Sequence, residues 1–133
     1  MNNIFIDSNI CIYAFDKTDD VKRRKAIELI GKSPFISSQV LIETYNACAR
    51  KLKLPLHICD ENNLFLCDIA SVFEIDAEIF KRAIVIKNKY QLSFLDSCIV
   101  SSAHTAGCAT LYSEDMQHGL LIEDRLTIVN PFL

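Results

Sequence analysis

The side chains best placed to do chemistry are four acids at separate points along the chain: Asp7, Glu43, Asp96 and Asp115. Asp7 ends a short apolar run, Glu43 lies in the early turns of a helical stretch, Asp96 in the first turn of another, and Asp115 just past a later apolar run. In open parallel sheets, ligands bind beyond the carboxyl ends of the strands, near the point where strand order reverses, so acids carried there would share one cleft. Carboxylates held a few Å apart repel one another unless a hard divalent cation neutralises them. Mg²⁺, for which Mn²⁺ can stand in, prefers carboxylate and water oxygens. A cation so placed lowers the pKa of bound water and steadies the charge on a phosphate under in-line attack. Phosphodiester hydrolysis is the chemistry this set would serve.

Taken singly, each acid has a plainer role. Asp7 suits an Asx turn, Asp115 a polar connection, and Glu43 a solvated helix face. Asp96 follows Ser93 by three residues, the S-x-x-D spacing of a capping box. Only their joint placement points to a site. Gln39, Asn46 and Arg50 fall on the same helix face as Glu43, which makes Arg50 a candidate for phosphate contact. The basic run Lys22, Arg23, Arg24 and Lys25 lies on an amphipathic helix and is expected to be a solvated face. His57, His104 and His118 are scattered, and His104 falls in an uncharged run that suits the core, which disfavours a metal-free, histidine-based ribonuclease.

Positioning these residues requires a particular series of elements. Residues 3–6 predict a buried strand ending at Asp7, and Ser8 a cap for a helix to about Phe15. Asp19 or Asp20 starts a second helix closed by Gly31, and residues 35–37 form a second strand. Ser38 caps a third helix whose apolar face is Val40, Leu41, Tyr45, Cys48 and Leu52; Pro55 breaks it, and a fourth covers about 59–70. A third strand spans 71–75, and Asp76 caps a fifth helix to Tyr90. Ser93 opens a sixth that Gly107 closes, and strands follow at 109–112 and 127–129. This alternation predicts an α/β fold, a twisted parallel sheet of about five strands with helices on both faces, in one domain over residues 1–133.

Composition bounds the rest. The hydrophobic share of 50% and mean hydropathy of +0.20 are high for a domain of this size, so some apolar surface is expected at a subunit interface. The net charge of −3 and pI of about 5.5 argue against a general basic surface for nucleic acid. With four carboxylates set aside for a metal, however, the remainder is slightly positive. The six cysteines include no C-x-x-C pair and fall mostly at apolar positions, which predicts buried thiols in a reducing cytoplasm. A zinc site from His57, Cys59 and Cys67 has no usual ligand spacing. The start of the chain lacks the pattern of a secretory leader, and the run from Ser97 to Ser113 is too polar to span a membrane.

The segments FIDSN, SSQVLIETYNACARKL, LSFLDSCIVSSAHTAGC and LYSEDMQHG, ending in TIVNPF, together resemble the PIN domain, in the branch containing VapC-type toxins of bacterial toxin–antitoxin pairs. The resemblance runs from Ile4 to Phe132. It implies that Asp7, Glu43, Asp96 and Asp115 are the metal-site acids of an endoribonuclease, and that Ser8, Asn9 and Ser113 position them or the attacking water. It also implies an RNA substrate, a homodimer and an antitoxin partner. PIN domains also serve in RNA maturation and decay without an antitoxin, and a silent PIN-like binding module would share the fold. A phosphoacceptor receiver domain would need an acceptor Asp after the third strand and a Lys after the last; the chain has Glu74, Ile75 and Asp76, then TIVNPF.

Overall fold

β1 (Ile4–Ile6) is buried along its whole length, as an unbroken apolar run must be at the centre of a parallel sheet. In the computed structural model, which describes residues 3–133, β1 pairs in parallel with β2 (Phe35–Ser37) on one side and β4 (Thr110–Tyr112) on the other. β3 (Ser71–Phe73) extends the sheet beyond β2, and β6 (Leu126–Val129) beyond β4. The sixth strand is β5 (Leu121–Ile122), antiparallel to β6 at the edge, in the order β3-β2-β1-β4-β6-β5. One strand more is present than the sequence suggested. β5 has only two residues, and its turn is made by Glu123 and Asp124, both at positive φ, closed by Arg125 N–H to the Ile122 carbonyl. That is the geometry of a tight hairpin turn, built without the Asn-Gly or Asp-Gly pair that usually signals one.

The helices are α1 (Ser8–Phe15), α2 (Asp20–Ile30), α3 (Ser38–Arg50), α4 (Leu56–Ile69), α5 (Ala77–Tyr90) and α6 (Phe94–Thr105). The connections from β1 to β2 to β3 step one way, and that from β3 to β4 returns across β1. With right-handed crossovers this puts the first four helices on one face and the last two on the other. α1 packs against α2 and α3, α3 against α4, and α5 against α6 accordingly. The order reverses between β1 and β4, whose carboxyl ends carry Asp7 and Ser113.

The core is the sheet's own side chains and the helix faces turned to them: Phe5, Ile6, Ile36, Leu111 and Ile128 of the strands, with Ile10, Val40 and Ile99. Each fully buried side chain of this kind contributes roughly 1.5–3 kcal/mol. The uncharged stretch in α6 is explained by its position, since every residue from Ser97 to Ala103 is buried. Its serines are satisfied within the protein: Ser97 Oγ donates to the Ser93 carbonyl, Ser101 Oγ to that of Ile79, and Ser102 Oγ to that of Cys98. His104, expected in the core, is only half-buried, in the last turn of α6.

Several element ends differ from expectation by a residue or more. The cap of α1 is Asp7 rather than Ser8, and that of α3 is Ser37, while Ser38 Oγ accepts from the amide of Ile75. Pro55 does not only end α3; it sits at the start of α4, where its missing N–H is no loss, so that helix begins at Leu56. On α3 the fully buried position between Val40 and Cys48 is Thr44, whereas Tyr45 is half-exposed and donates to Asp60. Among the described residues, no helix is long and apolar enough to cross a membrane.

Candidate active site

Asp7 is at the centre. Its amide continues the sheet by donating to the Tyr112 carbonyl, and its carboxylate caps α1 by accepting from Ser8 N–H at 2.7 Å. It is only 4% exposed. The other oxygen accepts from Ser113 Oγ at 2.8 Å and from Asn9 Nδ2 at 3.3 Å. Burial raises its pKa to about 6 against the pull of these hydrogen bonds, and the charges of Asp96 and Glu43 add to the rise. A carboxylate at the end of a central strand, with every lone pair directed by the fold, is held there at an electrostatic cost.

The remaining acids reach this point through polar bridges. Ser8 Oγ lies 3.0 Å from Glu43 Oε1 and 3.4 Å from Asp7 Oδ1, linking α1 to α3. Asn9 Nδ2 lies 3.1 Å from Asp115 Oδ2 and 3.4 Å from Ser113 Oγ, so one amide joins Asp7, Ser113 and Asp115. Asn9 Oδ1 in turn accepts from Glu114 N–H, and Ser113 Oγ from Asp115 N–H. Gln39, a turn before Glu43, donates to Glu43 Oε2 at 3.2 Å and to the Leu95 carbonyl at 3.1 Å, tying α3 to the first turn of α6 beside Asp96. Burial raises the pKa of Asp96, opposed by the Ser93 hydroxyl and reinforced by the charges of Asp115 and Glu43. Glu43 thus bears on both Asp7 and Asp96, and Asp115 on Asp96.

Two residues of this network went unassigned in the sequence: Gln39, seen only as a neighbour of Glu43 on its helix face, and Glu114. Tyr13 OH donates to Glu114 Oε1 at 2.5 Å and Lys22 Nζ to Oε2 at 2.6 Å. Lys22 thus pairs outside its own helix, whereas Arg23 and Arg24 pair with Asp20 of theirs and Lys25 with Glu28. No spacing along the chain signals the Lys22–Glu114 contact, because 92 residues separate the partners. Arg50 lies in the last turn of α3 and is exposed.

A metal would find oxygen donors here. The set is carboxylate, hydroxyl and amide without sulfur or imidazole, which suits a hard cation such as Mg²⁺ rather than zinc. The buried Asp7 carboxylate, repelled by the half-buried Glu43 and Asp96, is the feature a cation would relieve, while Asp115 is exposed. Among the described residues no group of three or more His, Cys, Asp or Glu already stands round a single ion point; Ser8 and Asn9 take the bridging places instead. Zinc at His57, Cys59 and Cys67 finds no support, since Cys59 is buried while His57 and Cys67 are exposed. Cys11, packed beneath Asp7, has its thiol pushed up to about 12 by burial and then by the Asp7 charge, so it stays protonated.

The PIN domain pattern matches residues 4–119. No curated protein sequence matches the chain. Among solved structures, the chain is similar to a toxin–antitoxin complex from Klebsiella pneumoniae, with a TM-score of 0.74 and 20% identity over 97% of this chain and 98% of that one. It is also similar to VapBC2 from Rickettsia felis bound to a DNA fragment from its promoter (0.69, 19%, over 96% and 98%). A third is VapC20 from Mycobacterium tuberculosis, a sarcin-ricin loop cleaving toxin (0.68, 19%, over 85% and 90%). At these identities the likeness is one of fold. Since the family pattern spans most of the sequence, this chain belongs to the PIN domain family.

Proposed function

We propose that the chain is a Mg²⁺-dependent endoribonuclease and the toxin of a toxin–antitoxin pair. The observation that carries this is the buried Asp7 carboxylate, linked by Ser8, Asn9 and Ser113 to Glu43 and Asp115 and coupled in charge to Asp96. Asp7, Glu43, Asp96 and Asp115 would hold the cation, with Mn²⁺ able to replace Mg²⁺. When bound, the cation supplies a more acidic water and a counter-charge for the phosphate. Ser8, Asn9 and Ser113 orient the acids, and Arg50, on the Glu43 face of α3, contacts a phosphate of the RNA.

The partners follow from apolar surface. A groove of about 340 Å³ between α1, α2 and α4, lined by Ala14, Phe15, Ile27, Ile30, Phe65 and Ile69, suits the apolar side chains of an antitoxin tail. Exposed Phe80, Ile84 and Val85 on α5 suit a second copy of this chain in a homodimer. Free thiols at all six cysteines fit a cytoplasmic protein.

The test is cleavage of structured RNA. Activity should stop in EDTA and return with Mg²⁺ or Mn²⁺, and because water attacks without need of a 2′-OH, the products should carry 5′-phosphate and 3′-OH ends. Cyclic 2′,3′-phosphate ends, or activity indifferent to EDTA, would refute the mechanism. Expression of the wild-type protein should arrest bacterial growth and that of an Asp96→Asn variant should not. Equal arrest by both would separate toxicity from cleavage.

A further inference from the structure

Lys22, Tyr13, Glu114 and Phe132 form a closed polar and aromatic cluster beside the acids. Both oxygens of Glu114 are engaged, one by Tyr13 OH and the other by Lys22 Nζ, and Lys22 Nζ also donates to Tyr13 OH at 3.2 Å. The ammonium lies 4.8 Å from the Tyr13 ring centre and 5.3 Å from that of Phe132, and the two rings meet edge to face at 5.1 Å. The Lys22 and Glu114 side chains are 32% and 24% exposed, so the pair is partly shielded from solvent. Phe132 is fixed in turn, its N–H bonded to Asn130 Oδ1, and Asn130 N–H to His118 Nδ1. Tyr13 and Lys22, from two helices, thus hold the one residue between Ser113 and Asp115, with Phe132 packed against both.

We infer that this cluster is a positioning device for Asp115, resting on the nuclease function proposed above. Glu114 is the only residue between two members of the site, and its N–H is the donor to Asn9 Oδ1. Holding its side chain fixes the peptide that follows, so that Asp115 meets Asn9 Nδ2 and Ser113 Oγ accepts from Asp115 N–H. The cluster also gives a physical task to the NPF ending: Phe132 covers the Lys22 ammonium and keeps it on Glu114 rather than in solvent. Lys22 therefore serves the site through Glu114 and does not touch substrate.

Lys22→Met and Glu114→Gln test this because their charge effects oppose one another. Lys22→Met makes the neighbourhood more negative, which by charge alone would strengthen cation binding and weaken RNA binding, and Glu114→Gln does the reverse. A positioning role predicts that both lower kcat in the same direction, about tenfold, with KM little changed, and that the double variant is no worse than the more impaired single. In the metal-free protein, the Glu114 and Asp115 amides should exchange hydrogen at least about tenfold faster in both variants than in wild type. Opposite effects of the two substitutions, cancelling in the double variant, would overturn the proposal in favour of through-space electrostatics. A raised KM with a shallower salt dependence for Lys22→Met alone would overturn it in favour of direct phosphate contact. Unchanged amide exchange would also overturn it. The exchange measurement does not depend on cleavage, so an inactive wild-type protein would refute the nuclease function and leave this test standing.

Discussion

Replacing Asp7 with Asn should make the metal-free protein more stable while abolishing cleavage. In the unfolded chain Asp7 titrates near 3.8, and burial lifts it to about 6 in the native protein. Between these values the native state holds a proton that the unfolded state has lost, so stability falls as pH rises through that window and the full penalty is present above it. The shift from 3.8 to about 6 corresponds to at most about 3 kcal/mol. Against this, Asn caps a helix as well as Asp does, but the variant gives up the favourable placement of a negative charge at the α1 N-terminus, worth roughly 0.3–1 kcal/mol. The amide nitrogen can donate to Ser113 Oγ if that hydroxyl turns, but it cannot accept from Asn9 Nδ2, and the lost bond costs about 1 kcal/mol. The balance is a gain of about 1–2 kcal/mol near neutral pH.

Thermal unfolding in EDTA at about pH 7.5 and about pH 4 measures this directly, and a gain of that size raises the melting temperature by roughly 4–8 °C for a domain of this length. The advantage should shrink or reverse at the lower pH, where wild-type Asp7 is neutral. Adding Mg²⁺ should stabilise the wild type and not the variant. If the variant were less stable by the same amount at both pH values, Asp7 would carry no burial penalty. The argument for a cation relieving it would then fail.

Asp96→Asn should remove cleavage with a melting temperature within about 2 °C of wild type, because the Ser93 cap is made to the backbone N–H of Asp96, which the substitution leaves in place. A loss near the full value of a cap, with cleavage retained, would make Asp96 a structural residue only. Arg50→Met should raise KM for RNA with kcat unchanged and reduce the slope of log affinity against log salt by about 1, as expected for one lost phosphate contact. An unchanged salt slope would take Arg50 out of the RNA path.

The strand-to-acid placements were legible because each rests on local signals: an apolar run before Asp7, a capping serine before Asp96, and a turn-rich connection after Tyr112. The parallel pairing among β1 to β4 follows from alternation of strands and helices, whereas the antiparallel β5 and the helix-free connection to β6 had no such signal. What could not be read depends on contacts far apart in the sequence. Gln39 reaches Leu95, and Lys22 reaches Glu114, only after α3 and α2 have packed. Lys22 had the same local character as Arg23 and Arg24, a base in an amphipathic helix, and only packing of α2 against α1 brings it to Glu114. Thr44 illustrates the converse: a polar residue at a helical spacing that tertiary packing buries completely, while the more apolar Tyr45 is only half-buried.

Capping and the proposed metal-holding role, the two readings of Asp7 and Asp96, do not exclude one another, for a physical reason. Asp7 is the cap of α1, and Asp96 lies in the first turn of α6, so two helices direct the positive ends of their dipoles toward the cluster. Each such end favours a nearby negative charge by roughly 0.3–1 kcal/mol, more when partly buried. That is less than the penalty on Asp7 alone. The helix ends therefore reduce the cost of the Asp7 and Asp96 charges without removing it, which leaves a task for the cation proposed above. A site built only from dipoles and hydrogen bonds strong enough to satisfy every acid would have no further need of a metal. The raised pKa of Asp7, despite its Ser8 and Ser113 donors, is consistent with the cation proposed above.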